Sequence, residues 1–227
     1  MINSRQPKWQ NDIREYEAAH IIADLANEAH TVLNVGPSWG RDYYMLARCG
    51  KYVVNLDIAP QHHLPNMLIG DASTSFPFST GSFDIVLLPE VLEHLVEDWV
   101  ALREAFRVLK DDGGLIVTVP FFSDAASYHI RIHSPKSILR LLAVAGFSAE
   151  RVIYRGGWIR IPRVVHAIRR GLMLFGLNHA WYRFVLKMDR RWGQGSWAHY
   201  AANGVYILAR KGEMLDWRRL NREGFQH

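Results

Sequence analysis

Glu90-Val-Leu-Glu93-His94 sets two carboxylates and an imidazole at i, i+3 and i+4, a spacing that brings three side chains to one side of a helical turn. Groups of this kind do general acid–base work, histidine being the side chain that titrates nearest neutral pH. They also ligate divalent cations through carboxylate oxygen and imidazole nitrogen. A second source of such groups is Tyr128-His-Ile-Arg-Ile-His-Ser-Pro135, where His129 or His133 is placed to supply a fourth ligand or a contact to a reacting molecule. His94, His129 and His133 are therefore the catalytic candidates. No metal site is assigned, because a histidine leading into a helix serves equally well as a partner for backbone. In the same segment Arg131 reads as a tether to an acidic residue, and Ser134 as the cap of a helix opened by Pro135.

Backbone-approach chemistry is concentrated earlier, in Asn34-Val-Gly-Pro-Ser-Trp-Gly40, where Gly36 and Gly40 admit a ligand that a Cβ would block. The loop lacks the second and third glycines of the dinucleotide fingerprint and is followed by no Gly-Lys-Ser/Thr, so phosphate cradles are disfavoured. Asp57 follows 21 residues after Gly36, the separation at which an acidic side chain takes the ribose hydroxyls of an adenosine-containing cofactor. Gly70-Asp71-Ala72 then offers a carboxylate and a backbone N–H to an adenine edge. Each acidic residue read singly is as readily a turn residue; the order of the set carries the information.

These residues need elements to hold them. Short, nearly continuous apolar runs at Thr31–Val35, Tyr52–Asp57, Met67–Ile69, Phe83–Leu88 and Leu115–Pro120, with weaker ones at Ala149–Tyr154 and Val205–Arg210, read as strands, those before residue 120 as buried on both faces. Helical periodicity occupies Ile13–Asn27, Asp42–Cys49, Glu97–Leu109 and Pro135–Ala145. The alternation predicts a doubly wound α/β sheet with helices on both faces, whose ligand sits at the strand carboxyl ends.

The ordered stretches Thr31-Val-Leu-Asn-Val-Gly-Pro-Ser-Trp-Gly40, Asn55-Leu-Asp-Ile58, Gly70-Asp-Ala72, Phe76-Pro-Phe78, Ser82-Phe-Asp-Ile-Val86, Glu90-Val-Leu-Glu-His-Leu95 and Ala105-Phe-Arg-Val-Leu-Lys-Asp-Asp-Gly-Gly114, running into Val117-Thr-Val-Pro120, resemble the class I S-adenosylmethionine-dependent methyltransferases, methyltransferase type 11 branch. The likeness covers about residues 30–150. It implies a Rossmann-like seven-stranded sheet with a reversed last hairpin and S-adenosylmethionine across the strand tips, leaving as S-adenosylhomocysteine. On that resemblance Asn34, Gly36, Pro37 and Gly40 serve the methionine part, Asp57 the ribose, Ile58 the adenine face, and Asp71 with Ala72 its edge. Leu88, Pro89 and Glu90 would floor the site beside the sulfonium. Asn34 and Ser38 depart from the family's acidic residue and glycine, and Asn34→Asp is expected to tighten cofactor binding. Glu90-Val-Leu-Glu-His94 is also similar to the metal-binding Glu-x-x-Glu-His of quinone-biosynthesis and small-RNA ribose O-methyltransferases.

The reading is a methyltransferase acting at oxygen or nitrogen of a small metabolite or a lipid- or saccharide-linked intermediate. A metal-assisted O-methyltransferase and a non-catalytic partner protein of the same fold are the alternatives. One domain is expected: a cap helix at 1–29, a cofactor-binding core at 30–154, an insertion at 155–203 and a last strand with tail at 204–227. The acceptor pocket is expected from Trp9, Tyr16, the Phe121–His133 region and the insertion.

The chain has 227 residues, 49% hydrophobic, and a formal charge of +5, which excludes a disordered polymer. One cysteine, Cys49, excludes an internal disulfide. With a polar start and no apolar leader, the expected location is cytoplasmic. By segment, residues 1–154 carry −5, residues 155–191 carry +8 and residues 192–227 carry +2. The basic excess thus lies in one amphipathic, Trp- and Phe-bearing segment, which suits a lid, core packing, a subunit contact or an anionic inner membrane surface. Nucleic acid has no support beyond charge.

Overall fold

The computed structural model describes residues 13–121, 126–155, 187, 191 and 202–212. Seven strands, β1 (Thr31–Val35), β2 (Tyr52–Asp57), β3 (Met67–Ile69), β4 (Phe83–Pro89), β5 (Leu109–Pro120), β6 (Phe147–Arg155) and β7 (Gly204–Lys211), form one sheet in the order β3-β2-β1-β4-β5-β7-β6. β7 runs antiparallel to both neighbours and the other pairings are parallel. Strand order reverses between β1 and β4, and that is where the crevice of a doubly wound sheet opens.

The near-continuous apolar runs result from strand parity, since successive side chains point to opposite faces. In β4, Ile85 and Leu87 join Ala18, Ile21, Ile22 and Leu25 of helix α1 (Ile13–Leu25) and Leu46 of α2 (Arg41–Arg48). Val86 and Leu88 point the other way, into a layer with Leu102 and Ala105 of α3 (Asp98–Val108) and Ile138 and Leu142 of α4 (Pro135–Val144). Both faces are thus covered, as a mostly parallel sheet requires.

Expected and observed elements differ mainly at their ends. β5 begins at Leu109, six residues before the expected start, because Leu109 pairs with Phe83 and the ladder resumes at Gly114 opposite Ile85. At Gly113 a Cβ would meet the Lys110 carbonyl at 2.9 Å, so the Gly-Gly pair permits an irregular passage within the strand. Helix α4 opens as expected: Ser134 Oγ accepts from Ser137 N at 3.1 Å, and Pro135 occupies the first turn. The insertion between β6 and β7, with its apolar stripe and most of its arginines, lies outside the described residues, as does Trp9; Lys187 and Arg191 there are helical and exposed.

Candidate active site

A cleft of about 1360 Å³ lies across the carboxyl ends of β1–β4. Its first wall is the β1–α2 loop. Gly36 takes φ +67°, and an added Cβ would meet Val91 Cγ2 at 2.7 Å, so bare backbone is needed here. Pro37, Ser38 and Trp39 continue the lining, with Trp39 81% exposed. Across the cleft, Asp57 ends β2 and Ile58 comes next, 69% exposed. Asp57 Oδ1 accepts from Ala59 N at 3.1 Å, which leaves its other oxygen for a ligand hydroxyl. Asp71 does likewise: Oδ1 takes Ser73 N at 2.7 Å in an Asx turn, and both Asp71 and Ala72 face the cleft. The turn role and the ligand role coexist.

The opposite end is built by the residues that leave β4. Pro89 and Glu90 line the floor, and Glu90 holds φ +55°, a left-handed conformation rare for a residue with a Cβ. Its geometry is fixed from two sides. Glu90 N donates to Thr118 O and Oγ1 of β5 at 2.9 and 3.0 Å, and Glu90 Oε1 pairs with Arg155 Nη2 of β6 at 2.8 Å. A 3₁₀ turn at Leu92–His94 comes next. Within it the Glu93 carbonyl accepts from Ile130 N (2.9 Å) and Arg131 N (3.0 Å), which docks the β5–α4 loop against the turn. Arg131 locks the loop by donating to Leu95 O and Val96 O and pairing with Asp98 at 2.9 Å. The expected tether is therefore present, with Asp98 as its acidic partner.

Docking the loop assembles an aromatic and acid group. The His94 ring stacks on Tyr128 at 5.7 Å and 6°, and meets His129 edge-on at 4.9 Å. Burial, reinforced by His129, lowers the His94 pKa, so the ring is neutral at pH 7 and able to accept a proton. Glu93 is 1% exposed, and neither of its carboxylate oxygens has a partner among the described residues. Burial and then the Glu90 charge push its carboxyl up to about 8. Glu93, His94 and His129 all line the cleft.

Residues 33–117 match the family model of the methyltransferase domain, type 11. No curated protein matches the chain. Among solved structures, the [4+2]-cyclase SpnF is 19% identical with a TM-score of 0.60, over 93% of this chain and 85% of that one. The 1,6-didemethyltoxoflavin-N1-methyltransferase of Burkholderia thailandensis, holding 1,6-didemethyltoxoflavin and S-adenosylhomocysteine, is 16% identical with a TM-score of 0.59, over 90% and 81%. A structure of the Haloferax volcanii Trm112 methyltransferase activator in complex with its partner is 16% identical with a TM-score of 0.63, over 92% and 94%. Residues 33–117 thus carry the type 11 methyltransferase domain, on the fold that these solved structures share.

In this methyltransferase the site residues read from sequence divide into two groups. Gly36, Pro37, Asp57, Ile58, Asp71, Ala72, Pro89, Glu90, His94 and His129 face one cleft. Asn34, Gly40, Leu88 and His133 do not. Leu88 is fully buried because parity turns it into the α3/α4 layer. Gly40 is the left-handed N-cap of α2, and a Cβ there would strike Leu64 Cδ2 at 2.4 Å; its requirement is packing. Asn34 is fully buried, donating through Nδ2 to Asn55 Oδ1 at 3.0 Å, while Asn55 is held by its own Nδ2 on Pro65 O at 2.9 Å. An aspartate at 34 would set oxygen against oxygen, a cost that works against the expected tighter cofactor binding. His133 is 6% exposed beside Phe121, with Nε2 unpartnered among the described residues and its pKa lowered by burial. It belongs to the loop's packing.

From α1 the cleft receives Glu15, not the expected Tyr16, whose ring lies 4.1 Å from His20 and packs on the core. Glu15 reaches Arg41 Nη1 at 2.6 Å, and Arg41 also pairs with the buried Asp42 at 2.7 Å, tying the two helices along the wall. That pair joins positions 26 apart and has no local sequence signal. Trp39 and Tyr128 are legible in the sequence only as aromatics within motif strings.

Proposed function

We propose that this methyltransferase moves the methyl group of S-adenosylmethionine to oxygen or nitrogen of a small metabolite or a lipid- or saccharide-linked intermediate. The observation that carries the reading is one cleft with a backbone and carboxylate wall at one end and an imidazole–carboxylate group at the other. Its 1360 Å³ exceeds the roughly 300–1,000 Å³ of a single small-molecule site, which leaves room for cofactor and acceptor together. The bound S-adenosylhomocysteine of the Burkholderia neighbour supports the cofactor assignment.

When bound, S-adenosylmethionine supplies an electrophilic methyl on sulfur: the acceptor lone pair forms the new bond as the S–CH₃ electron pair returns to sulfur. The chain's contribution is chiefly to hold the reactants in line. Asp57 accepts from the ribose hydroxyls, Ile58 packs on the adenine face, and Asp71 with the Ala72 N–H reads its edge. Gly36 and Pro37 bring backbone to the methionine part, and Glu90, anchored by Thr118 and Arg155, fixes the floor. Glu93, His94 and His129 take charge of the proton that a hydroxyl or ammonium acceptor must lose. The +8 segment at 155–191 supports an anionic or lipid-linked acceptor and a peripheral contact with an anionic membrane. Among the described residues no helix is long and apolar enough to cross a membrane.

The test is to incubate the protein with methyl-labelled S-adenosylmethionine and separate polar and lipid extracts. Label appearing in an acceptor with matching release of S-adenosylhomocysteine is expected. Binding of S-adenosylhomocysteine without any transfer would instead favour a role that uses the fold for another end, as the cyclase neighbour does.

A further inference from the structure

The sequence spacing nominates Glu90, Glu93 and His94 as one group, and the structure regroups them. Glu90 is committed elsewhere, its Oε1 shared by Arg155 and Thr118. His129 takes its place: one ligand atom from each of Glu93, His94 and His129 lies within 4.8 Å of the others. The carboxylate in this group is 1% exposed and has no donor for either oxygen among the described residues. A buried carboxylate without partners is costly unless something positive meets it. The basic side chains nearby are engaged, Arg155 with Glu90 and Arg131 with Asp98 and two carbonyls.

We propose that Glu93, His94 and His129 hold a first-row divalent cation at the acceptor end of the cleft, open on the cleft side to an acceptor oxygen. Ligand atoms about 2.0–2.2 Å from such an ion stand roughly 3–3.5 Å apart. Small side-chain rotations of His94 and His129, neither of them buried, close that gap. Coordination also gives up the 3.2 Å contact from Ala126 N to His129 Nδ1, because a neutral metallated imidazole carries its proton on the other nitrogen. Two imidazoles and one carboxylate favour zinc, cobalt, manganese or iron over magnesium and calcium, which prefer all-oxygen shells. Three protein ligands leave a free position, the arrangement of a site that binds substrate. An acceptor hydroxyl there loses its proton more readily, as metal-bound water does, and in the loaded site that proton passes to cleft water, because both imidazole lone pairs are given to the ion. The cation's use in methyl transfer rests on the function proposed above; its binding does not.

The experiment is calorimetric titration of tag-free, chelator-treated protein with zinc, manganese and magnesium chlorides, together with the visible spectrum on adding cobalt. One equivalent of zinc or manganese is expected, at least 100-fold tighter than magnesium, with cobalt ligand-field bands. Glu93→Gln and His129→Ala should each weaken binding at least tenfold and lose the bands, while His30→Ala, at the far end of β1, binds as wild type. Melting curves verify folding, and His129→Ala decides the matter if Glu93→Gln does not fold. Absence of one-equivalent binding, magnesium binding tightest, or unchanged affinity in both variants, meaning an adventitious ion only, overturns the site. Titration of the same protein with S-adenosylhomocysteine keeps the two ideas apart. Its binding without the metal removes the cation alone, and its failure to bind removes the methyltransferase reading alone.

Discussion

Asp84 and Glu93 lie at opposite ends of one strand, the first inside it and the second beyond it, and have opposite surroundings. Asp84, near the start of β4, is saturated: Oδ2 accepts from His30 N, Thr31 N and Thr31 Oγ1 at 2.9, 2.7 and 2.9 Å, and Oδ1 pairs with Lys110 Nζ at 2.6 Å. Glu93, four residues beyond the strand's end, is more deeply buried and has no donor among the described residues. The first carboxylate joins the entries of β1, β4 and β5; the second is left unsatisfied beside two imidazoles. The sheet's amino end is thus spent on folding, and its carboxyl end keeps polar capacity for a ligand.

Exchanging either acid for its amide should pull stability and activity apart. Glu93→Gln is expected to lower the methyl-transfer rate about 10²- to 10⁴-fold with little loss of melting temperature, read by turnover with S-adenosylmethionine and by calorimetry. Asp84→Asn should do the reverse, costing about 3 kcal/mol through its charge-assisted hydrogen bonds, or roughly 6–12 °C of Tm at this chain length, while the surviving folded fraction turns over normally. If Asp84→Asn abolished turnover at constant Tm, the division between the two ends would not hold. Asn34→Asp, which breaks the buried amide pair with Asn55, should cost about 1–3 kcal/mol and leave cofactor affinity no better than wild type.

The two acids also leave opposite marks on stability against pH, measured in chelator. Hydrogen bonds from Lys110, Thr31 and His30 hold Asp84 well below the usual carboxylate range. Its contribution is present above the unfolded value near 3.8 and is lost as pH falls toward the folded one. Glu93 is raised from 4.5 to about 8. The folded state therefore keeps a proton that the unfolded chain releases, and stability falls as pH rises through that window. Asp84→Asn should flatten the acidic arm and Glu93→Gln the alkaline arm, each in thermal melts from pH 3 to 9.

Sequence makes the Gly36–Asp57–Asp71 end of the cleft legible because it is local: each of the three lies at, or within two residues of, the end of a strand marked by its apolar run. Strand parity is equally readable, and it turns Leu88 and Asn34 away from the cleft in which the family motif places them. The Glu93–His94–His129 end is less legible because it depends on long-range docking. His129 meets Glu93 only because backbone from 130 and 131 donates to the Glu93 carbonyl, and no spacing rule selects it over His133. The Glu90–Arg155 and Glu15–Arg41 pairs are equally non-local.

Binding of S-adenosylmethionine in the strand-end cleft through Asp57 is tested most directly by calorimetric titration of wild type and Asp57→Ala with S-adenosylhomocysteine. The expected result is one site in the wild type and an affinity at least tenfold weaker in the variant, with unchanged melting temperature, as loss of charge-assisted bonds to the ribose requires. Absence of binding by the folded wild type, or equal affinity in the two proteins, would contradict it.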